Sequence, residues 1–228
     1  MKKILLSLLA LTAAVTSASA QVEIGLKVSP SITSLRAEST SAQAFSSDGS
    51  KLSFGGGLVV DYFFGENYAF GTGLLLTGKG GTISYTETSG GVSGLGGNVT
   101  QKISMQYLEV PITVKLFTNE VAPDARLYFQ VGGSLNVPIG TRVNEGKFYR
   151  DPATMQETKA SDHITFYDAD VLAGLGAEYQ LGQSTKVFGG FSYHRGLANI
   201  DNYFDDTRGF SDVIIKNSSV NLDLGIKF

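Results

Sequence analysis

No cysteine occurs anywhere in the 228 residues. That excludes disulfides, thiolate metal sites and a lipid-modified cysteine, so an exported chain must find its stability elsewhere. Charge is scarce too: charged residues make up 17% of the chain, against about 25% in ordinary soluble domains. The balance is acidic, with a formal net charge of −3, which excludes a nucleic-acid partner. Long hydrophobic runs are also missing. The one candidate, Ile4 to Val15, is shorter than the roughly 20 residues a membrane-spanning helix needs.

That run has another reading. Met1-Lys2-Lys3 is a short basic start, Ile4 to Val15 an apolar core, and Ala18-Ser19-Ala20 a set of small residues suited to cleavage. Together they predict a secretory signal over residues 1–20 and a mature domain over residues 21–228 beginning at Gln21. Losing Lys2 and Lys3 leaves 16 basic against 21 acidic residues, a net charge of −5.

What is abundant is alternation. Val220, Leu222, Leu224, Ile226 and Phe228 alternate with Asn221, Asp223, Gly225 and Lys227, which is a strand with one apolar and one polar face. Similar period-two stretches recur upstream. They start near Val22, Leu52, Tyr68, Gln101, Leu127, Ile164 and Val187, for eight strands and no helix. In the fourth, apolar residues are odd-numbered through Tyr107 and even-numbered from Leu108, which predicts a β-bulge near 107–108. Pro30 suits a rim better than a central strand.

Connections after strands two, four and six are short. Those after one, three, five and seven, at 36–51, 86–100, 140–163 and 196–214, are long. An antiparallel up-and-down meander then has all its short turns at one end, beside both termini. This is the pattern of an eight-stranded transmembrane β-barrel with short periplasmic turns and long external loops. The opposite assignment of faces gives a secreted lipocalin-like carrier with an apolar lumen. The polar faces argue against it, because they carry Gly, Ser, Thr, Asn and Gln rather than the charge a soluble exterior needs. Mid-strand charges come in both signs: Lys27, Lys79, Glu109, Lys115, Glu178, Asp223 and Lys227. Facing lipid, each would cost several kcal/mol. Inside a barrel whose lumen is only wide enough for side chains they can pair. We therefore expect Lys27, Glu109, Lys115, Glu178, Asp223 and Lys227 to form lumen ion pairs that plug the barrel. An inner aromatic girdle is expected from Tyr62, Phe64, Tyr68, Phe70, Tyr179 and Phe228, and an outer one from Tyr107, Phe166, Tyr167 and Tyr193.

The aromatic C-terminus resembles the closing strand that the outer-membrane assembly machinery reads, which makes Phe228 the expected assembly signal. The export signal ending at Ala20-Gln21, the Gly-rich first strand and Tyr107-Leu108-Glu109-Val110-Pro111-Ile112 followed by Lys115 resemble the PorT-like outer-membrane β-barrel family of Bacteroidetes. Gly190-Phe191-Ser192-Tyr193 and the ending Leu224-Gly225-Ile226-Lys227-Phe228 are similar to it as well. The resemblance implies an outer-membrane location, a lipid environment and an eight-stranded barrel. It also implies a tie to protein secretion or surface assembly, through a protein partner at the loops or periplasmic turns.

The chemistry on offer is sparse. His163 and His194 are the only histidines. Ser192 and His194 share a strand face and are similar to the serine and histidine of barrel lipid hydrolases. Such a site also needs an orienting carboxylate, for which Asp168 or Asp170 are candidates. The plainer reading is a polar lumen. Asp201, Asp205 and Asp206 lack EF-hand spacing and read as a solvated turn. Gly94-Leu95-Gly96-Gly97 precedes no helix and makes no phosphate cradle. The expectation is a structural or interaction protein without catalytic residues, cofactor or metal; a lipid hydrolase, a carrier and a narrow channel are the alternatives.

Overall fold

The computed structural model describes residues 22–39, 44–87, 97–151, 155–210 and 212–228. The signal peptide expected at 1–20 lies outside them, as do residues 88–96 of the second long connection. The strands are β1 (Val22–Glu38), β2 (Ser46–Gly65), β3 (Tyr68–Glu87), β4 (Gly97–Phe117), β5 (Ala125–Val143), β6 (Phe148–Arg150), β7 (Glu157–Lys159), β8 (Asp168–Gln180), β9 (Lys186–Gly196) and β10 (Ile214–Lys227). Eight of them close a barrel in the order β1-β10-β9-β8-β5-β4-β3-β2, every pair antiparallel. Closure joins β1 to β10 from Gly25↔Lys227 to Glu38↔Ile214, which leaves neither terminal strand as a free edge. The short hairpin β6–β7 and a single 3-10 turn, Ala160–His163, fill the connection between β5 and β8.

β1 to β5 run well past the expected strand ends. The first long connection shrinks from 36–51 to 39–45, and β5 continues to Val143. The sixth barrel strand begins at Asp168 rather than Ile164. Ile164 is buried and bridges to Asp201, while Phe166 is exposed.

One rule explains both the added length and the apparent bulge. Near the end with the short turns, the inner end, outward residues are apolar: Ile24, Leu26 and Val28 on β1, Val110, Ile112 and Val114 on β4, Val220 and Leu224 on β10 are all exposed. Their inward neighbours Ser29, Ser31, Glu109, Thr113 and Asp223 are buried and polar. Toward the outer end the faces exchange character. Leu35, Ala37, Ile83, Tyr85, Ile103, Met105 and Ile215 point inward and are buried, whereas Arg36, Ser84, Lys102, Ser104 and Lys216 take the outward positions. β4 keeps its odd residues inward from Gln101 to Glu109. The switch of apolar parity at 107–108 therefore marks a change of surroundings, not of facing. The extra residue lies on β5: Gln106 pairs with Gly140 and Tyr107 with Pro138, which leaves Ile139 bulged. Tyr107 consequently points inward and is fully buried, so it leaves the outer girdle; Phe166, Tyr167 and Tyr193 are exposed. All six residues expected in the inner girdle are exposed as well.

The inverted outer third encloses a core like that of a soluble protein. Leu35, Ile83, Tyr85, Ile103 and Ile215 from the wall pack against Ile200, Tyr203, Phe204 and Phe210 from the last long connection. Phe45, Tyr85 and Phe204 make the aromatic centre, with ring centroids 4.8–5.1 Å apart. One ionic cluster is sealed among these rings: Arg208 donates to Asp151 at 2.5 Å and to Glu87 at 2.7 Å, and the Tyr203 hydroxyl also donates to Asp151. Asp201 is not solvated as the sequence suggested. It is buried and accepts from the backbone N–H groups of Tyr203, Phe204 and Asp205, which turns the segment into the cap. Asp205 and Asp206 remain exposed. His163 stacks on Tyr203 at 3.8 Å and shares a 2.7 Å hydrogen bond with Thr158.

These two cap groups respond to pH with opposite sign. Burial lowers His163 from 6.5 to about 4, against the smaller pull of Asp162 and Asp151. Its contribution to the folded cap is therefore present above about 6.5 and is lost as pH falls toward 4. Burial raises Asp201 from 3.8 to about 6 in spite of its three N–H donors. Its contribution is present below 3.8 and is lost as pH rises through 6. Cap stability should be nearly flat between pH 4 and 6 in the native chain. Asp201→Asn should make it fall on acidification, and His163→Gln should make it fall on alkalinisation. Amide hydrogen exchange across residues 199–210 reads the slopes, and reversed slopes in the two variants would contradict the assignment.

Candidate functional site

A lumen lined by polar alternate residues needs every buried charge to meet a partner, because an unpaired one costs several kcal/mol. The lumen below the cap meets that demand in three layers. The innermost gathers Glu23, Asp61 and Glu178 within 4.8 Å of one another. Three such carboxylates could hold a divalent cation, but a lysine fills that role. Lys227 Nζ lies 2.6 Å from Asp61 and 3.6 Å from Glu23, and also bonds Glu178. Lys115 pairs with Asp61 at 2.8 Å, Arg126 with Glu178 at 3.6 Å and Lys186 with Glu23. Phe63, Phe117, Tyr128 and Phe188 fill the space between these groups. Lys227 sits over the rings of Phe117 and Phe188, and Arg126 lies 5.0 Å over Phe117. Such cation–π contacts add to ion pairing where water is scarce. Tyr128 leans along the wall over its register partner Gly176 and, beyond it, Gly190 on β9, which make room for the ring; a Cβ at Gly176 would lie 2.5 Å from its hydroxyl.

The middle layer centres on Asp223. It pairs with Lys27 at 3.2 Å and accepts from Ser29 at 2.6 Å and Ser192 at 2.7 Å. The outer layer centres on Lys79, whose ammonium lies 2.7 Å from Asp170, 3.5 Å from Glu109 and 2.9 Å from Asn136. His194 Nδ1 faces Asp170 at 3.1 Å, and Asn217 ties Asp168 to the Tyr107 hydroxyl beneath the cap. Among the described residues, small recesses of about 30 and 20 Å³ lie between these layers. Each accommodates a water or two, not a ligand.

Each of the six charged residues singled out from the sequence lies in one of these layers. Parity alone did not pick out Lys79, the hub of the outer layer, from the other mid-strand charges, nor its partner Asp170. Asp61, Arg126 and Lys186 were missed because Asp61 shares its strand face with the apolar Val59 and the other two flank short turns; Glu23, also missed, lies at the very start of β1. The apolar lumen of a lipocalin-like carrier is excluded, since the apolar face points outward. Ser192 and His194 share a face as expected, and Asp170 does orient His194. Ser192, however, donates to Asp223 and accepts from Asn221, so no serine–histidine relay forms. Both side chains are buried in the lumen.

Lys79 joins two carboxylates of the outer layer, Glu109 and Asp170. Lys79→Met removes the ammonium between Glu109 and Asp170 and leaves them only His194, Asn136 and Thr77 as partners, at an expected cost of about 3–5 kcal/mol in urea unfolding from lipid. Adding Glu109→Gln and Asp170→Asn to that variant should restore most of the loss. A single variant as stable as the parent would show that the layer is not coupled in this way.

Residues 15–202 of the chain match the family model described as the outer membrane protein beta-barrel domain. No curated protein sequence matches. Among solved structures, it is similar to Neisserial surface protein A at 13% identity, covering 89% of this chain and 95% of that one with a TM-score of 0.42. It is also similar to OprG from Pseudomonas aeruginosa, at 11% identity, 91% and 96% coverage and a TM-score of 0.49. A third is Ail of Yersinia pestis, at 12% identity, 91% and 99% coverage and a TM-score of 0.38. An apolar belt outside, a charged filling inside and a matching family model over most of the length agree: the chain belongs to the outer membrane protein β-barrel domain family, and its place is the cell outer membrane.

Proposed function

We propose that this protein is a closed, non-conducting outer-membrane barrel that works through its surfaces as a structural or interaction partner, without catalysis. The observation that carries the reading is the double seal. Three layers of paired charge fill the lumen, and an apolar cap covers its outer end. With the lumen filled among the described residues, the outer connections, the periplasmic turns and the lipid belt are the surfaces left to act with. Residues 1–20 are removed on export in this reading, and residues 21–228 form the barrel domain. The short turns lie in the periplasm, where the β10 strand and Phe228 engage the barrel-assembly machinery. The narrower kinship to PorT-like barrels belongs to the same proposal and rests on the 107–112 stretch and Lys115. A role beside a protein-secretion or surface-assembly complex follows from it.

Planar-bilayer recordings of the refolded protein should show no stable unit conductance; reproducible steps would overturn the sealed-lumen reading. Mild crosslinking in native membranes followed by affinity isolation should yield a stoichiometric protein partner, and its absence counts against the interaction role. Removing Phe228 should lower the amount assembled in the outer membrane while leaving the protein that does fold as heat-resistant as the parent. Wild-type assembly of the truncated chain would refute its part as the signal.

A further inference from the structure

The wall departs from regular pairing on its outer rim in β2. The β2–β3 ladder is interrupted between Gly55↔Thr77 and Gly49↔Thr82, so residues 50–54 of β2 have no partner on β3. They stay paired with β1, from Ser34↔Ser50 to Pro30↔Phe54. Behind them β3 closes against β1: a Cβ at Gly81 would lie 2.7 Å from the Leu35 nitrogen. The bulged segment therefore stands out from the wall. Leu52 is 82% exposed and Phe54 65%.

Beside it lies a cleft of about 730 Å³, roofed by the β6–β7 hairpin and floored by β4 and β5. Lys51, Arg142, Lys147 and Lys159 line it, together with Phe54, Ile139 and Phe148. None of the four cations has a side-chain hydrogen bond or ion pair among the described residues, and Lys102 close by is held by Glu145 at 3.0 Å. The cleft straddles the level at which the outward face changes from apolar to polar. Its lower wall, with Phe54 and Ile139, belongs to the lipid belt, and its upper wall is cationic. A ligand that fits both halves carries an anionic head on acyl chains. Cations at a membrane surface attract such lipids, and a phosphate accepts hydrogen bonds from several of them at once.

We propose that this cleft binds the phosphorylated headgroup of a glycolipid of the outer leaflet, with its acyl chains against Leu52, Phe54 and Ile139. Bound there, the lipid neutralises four like charges and covers an apolar bulge that is otherwise exposed. The inference rests on the orientation given above, with the long connections outside.

The test uses the full mature chain refolded in detergent and analysed by native mass spectrometry with three probes: phosphorylated lipid A, the same lipid dephosphorylated, and a soluble sulfated polysaccharide. Phosphorylated lipid A should be retained one to one. Retention should fall at least about tenfold in Lys51→Ser/Arg142→Ser/Lys147→Ser/Lys159→Ser and equally on dephosphorylation. Arg195→Ser/Lys216→Ser, elsewhere on the same rim, should leave it unchanged. Heat-resistant mobility on gels confirms that each variant is folded. Equal retention by the quadruple variant, indifference to phosphate, or equally tight capture of the soluble polysaccharide would each overturn the proposal. Cleavage at Lys147 or Lys159 by protease added to intact cells reports orientation on its own, so failure of the topology and failure of the lipid site are told apart.

Discussion

The structure depends on a single change of solvent that every tall strand must satisfy at the same height. Below it the wall faces lipid outside and buried charge inside; above it the wall faces water outside and an apolar core inside. Because strand side chains alternate strictly, one strand can serve both zones only by exchanging the chemistry of its odd and even positions where it crosses the boundary. β1 does so between Thr33 and Leu35, β4 around Tyr107 and β10 between Ile215 and Asn217. β5 instead inserts Ile139 and turns its faces over, even residues pointing inward below the bulge and Val143 above it. The result is one closed wall with two interiors stacked end to end.

The two interiors are held by different forces. The outer one is stabilised by the hydrophobic effect, as in a water-soluble domain, because its walls stand in water on the far side. That effect is not available to the inner one, whose exterior is already in hydrocarbon. Its cohesion comes from charge and hydrogen bonding in a medium where an unpaired group is costly. This is why Lys227 meets three carboxylates, and why Lys79 is held by Asp170, Glu109 and Asn136 together.

Much of this was legible in the sequence, and the rest was not for identifiable reasons. The alternation at 220–228, the eight strands and the side of the short turns follow from local pattern. The six lumen charges follow from parity plus the cost of charge in lipid. The cap was invisible because its residues come from distant stretches: Phe45, Tyr85, Phe204 and Phe210 meet only in three dimensions. The parity switch at Tyr107–Leu108 was seen but assigned to the wrong cause. A bulge and a change of surroundings leave the same mark on a single strand, and only the neighbouring register separates them. Asp201 looked solvated because a run of carboxylates usually is. Its three N–H donors exist only once the turn has formed.

Stacking two interiors also fixes where the molecule can be irregular. In the lipid zone the backbone must stay fully paired, so a bulge there would expose N–H and C=O groups to hydrocarbon. Above the boundary, water can satisfy those groups. Residues 50–54 of β2 and Ile139 of β5 depart from regular pairing at the boundary itself, while the smaller shifts at Ser47/Gly49 and Phe63/Gly65 lie toward the two ends of β2. Residues 50–54 and Ile139 flank the same cleft. The level at which the solvent changes is therefore also the level at which the wall opens enough to form a recess. That recess has apolar side chains below and cations above because it inherits one half from each zone.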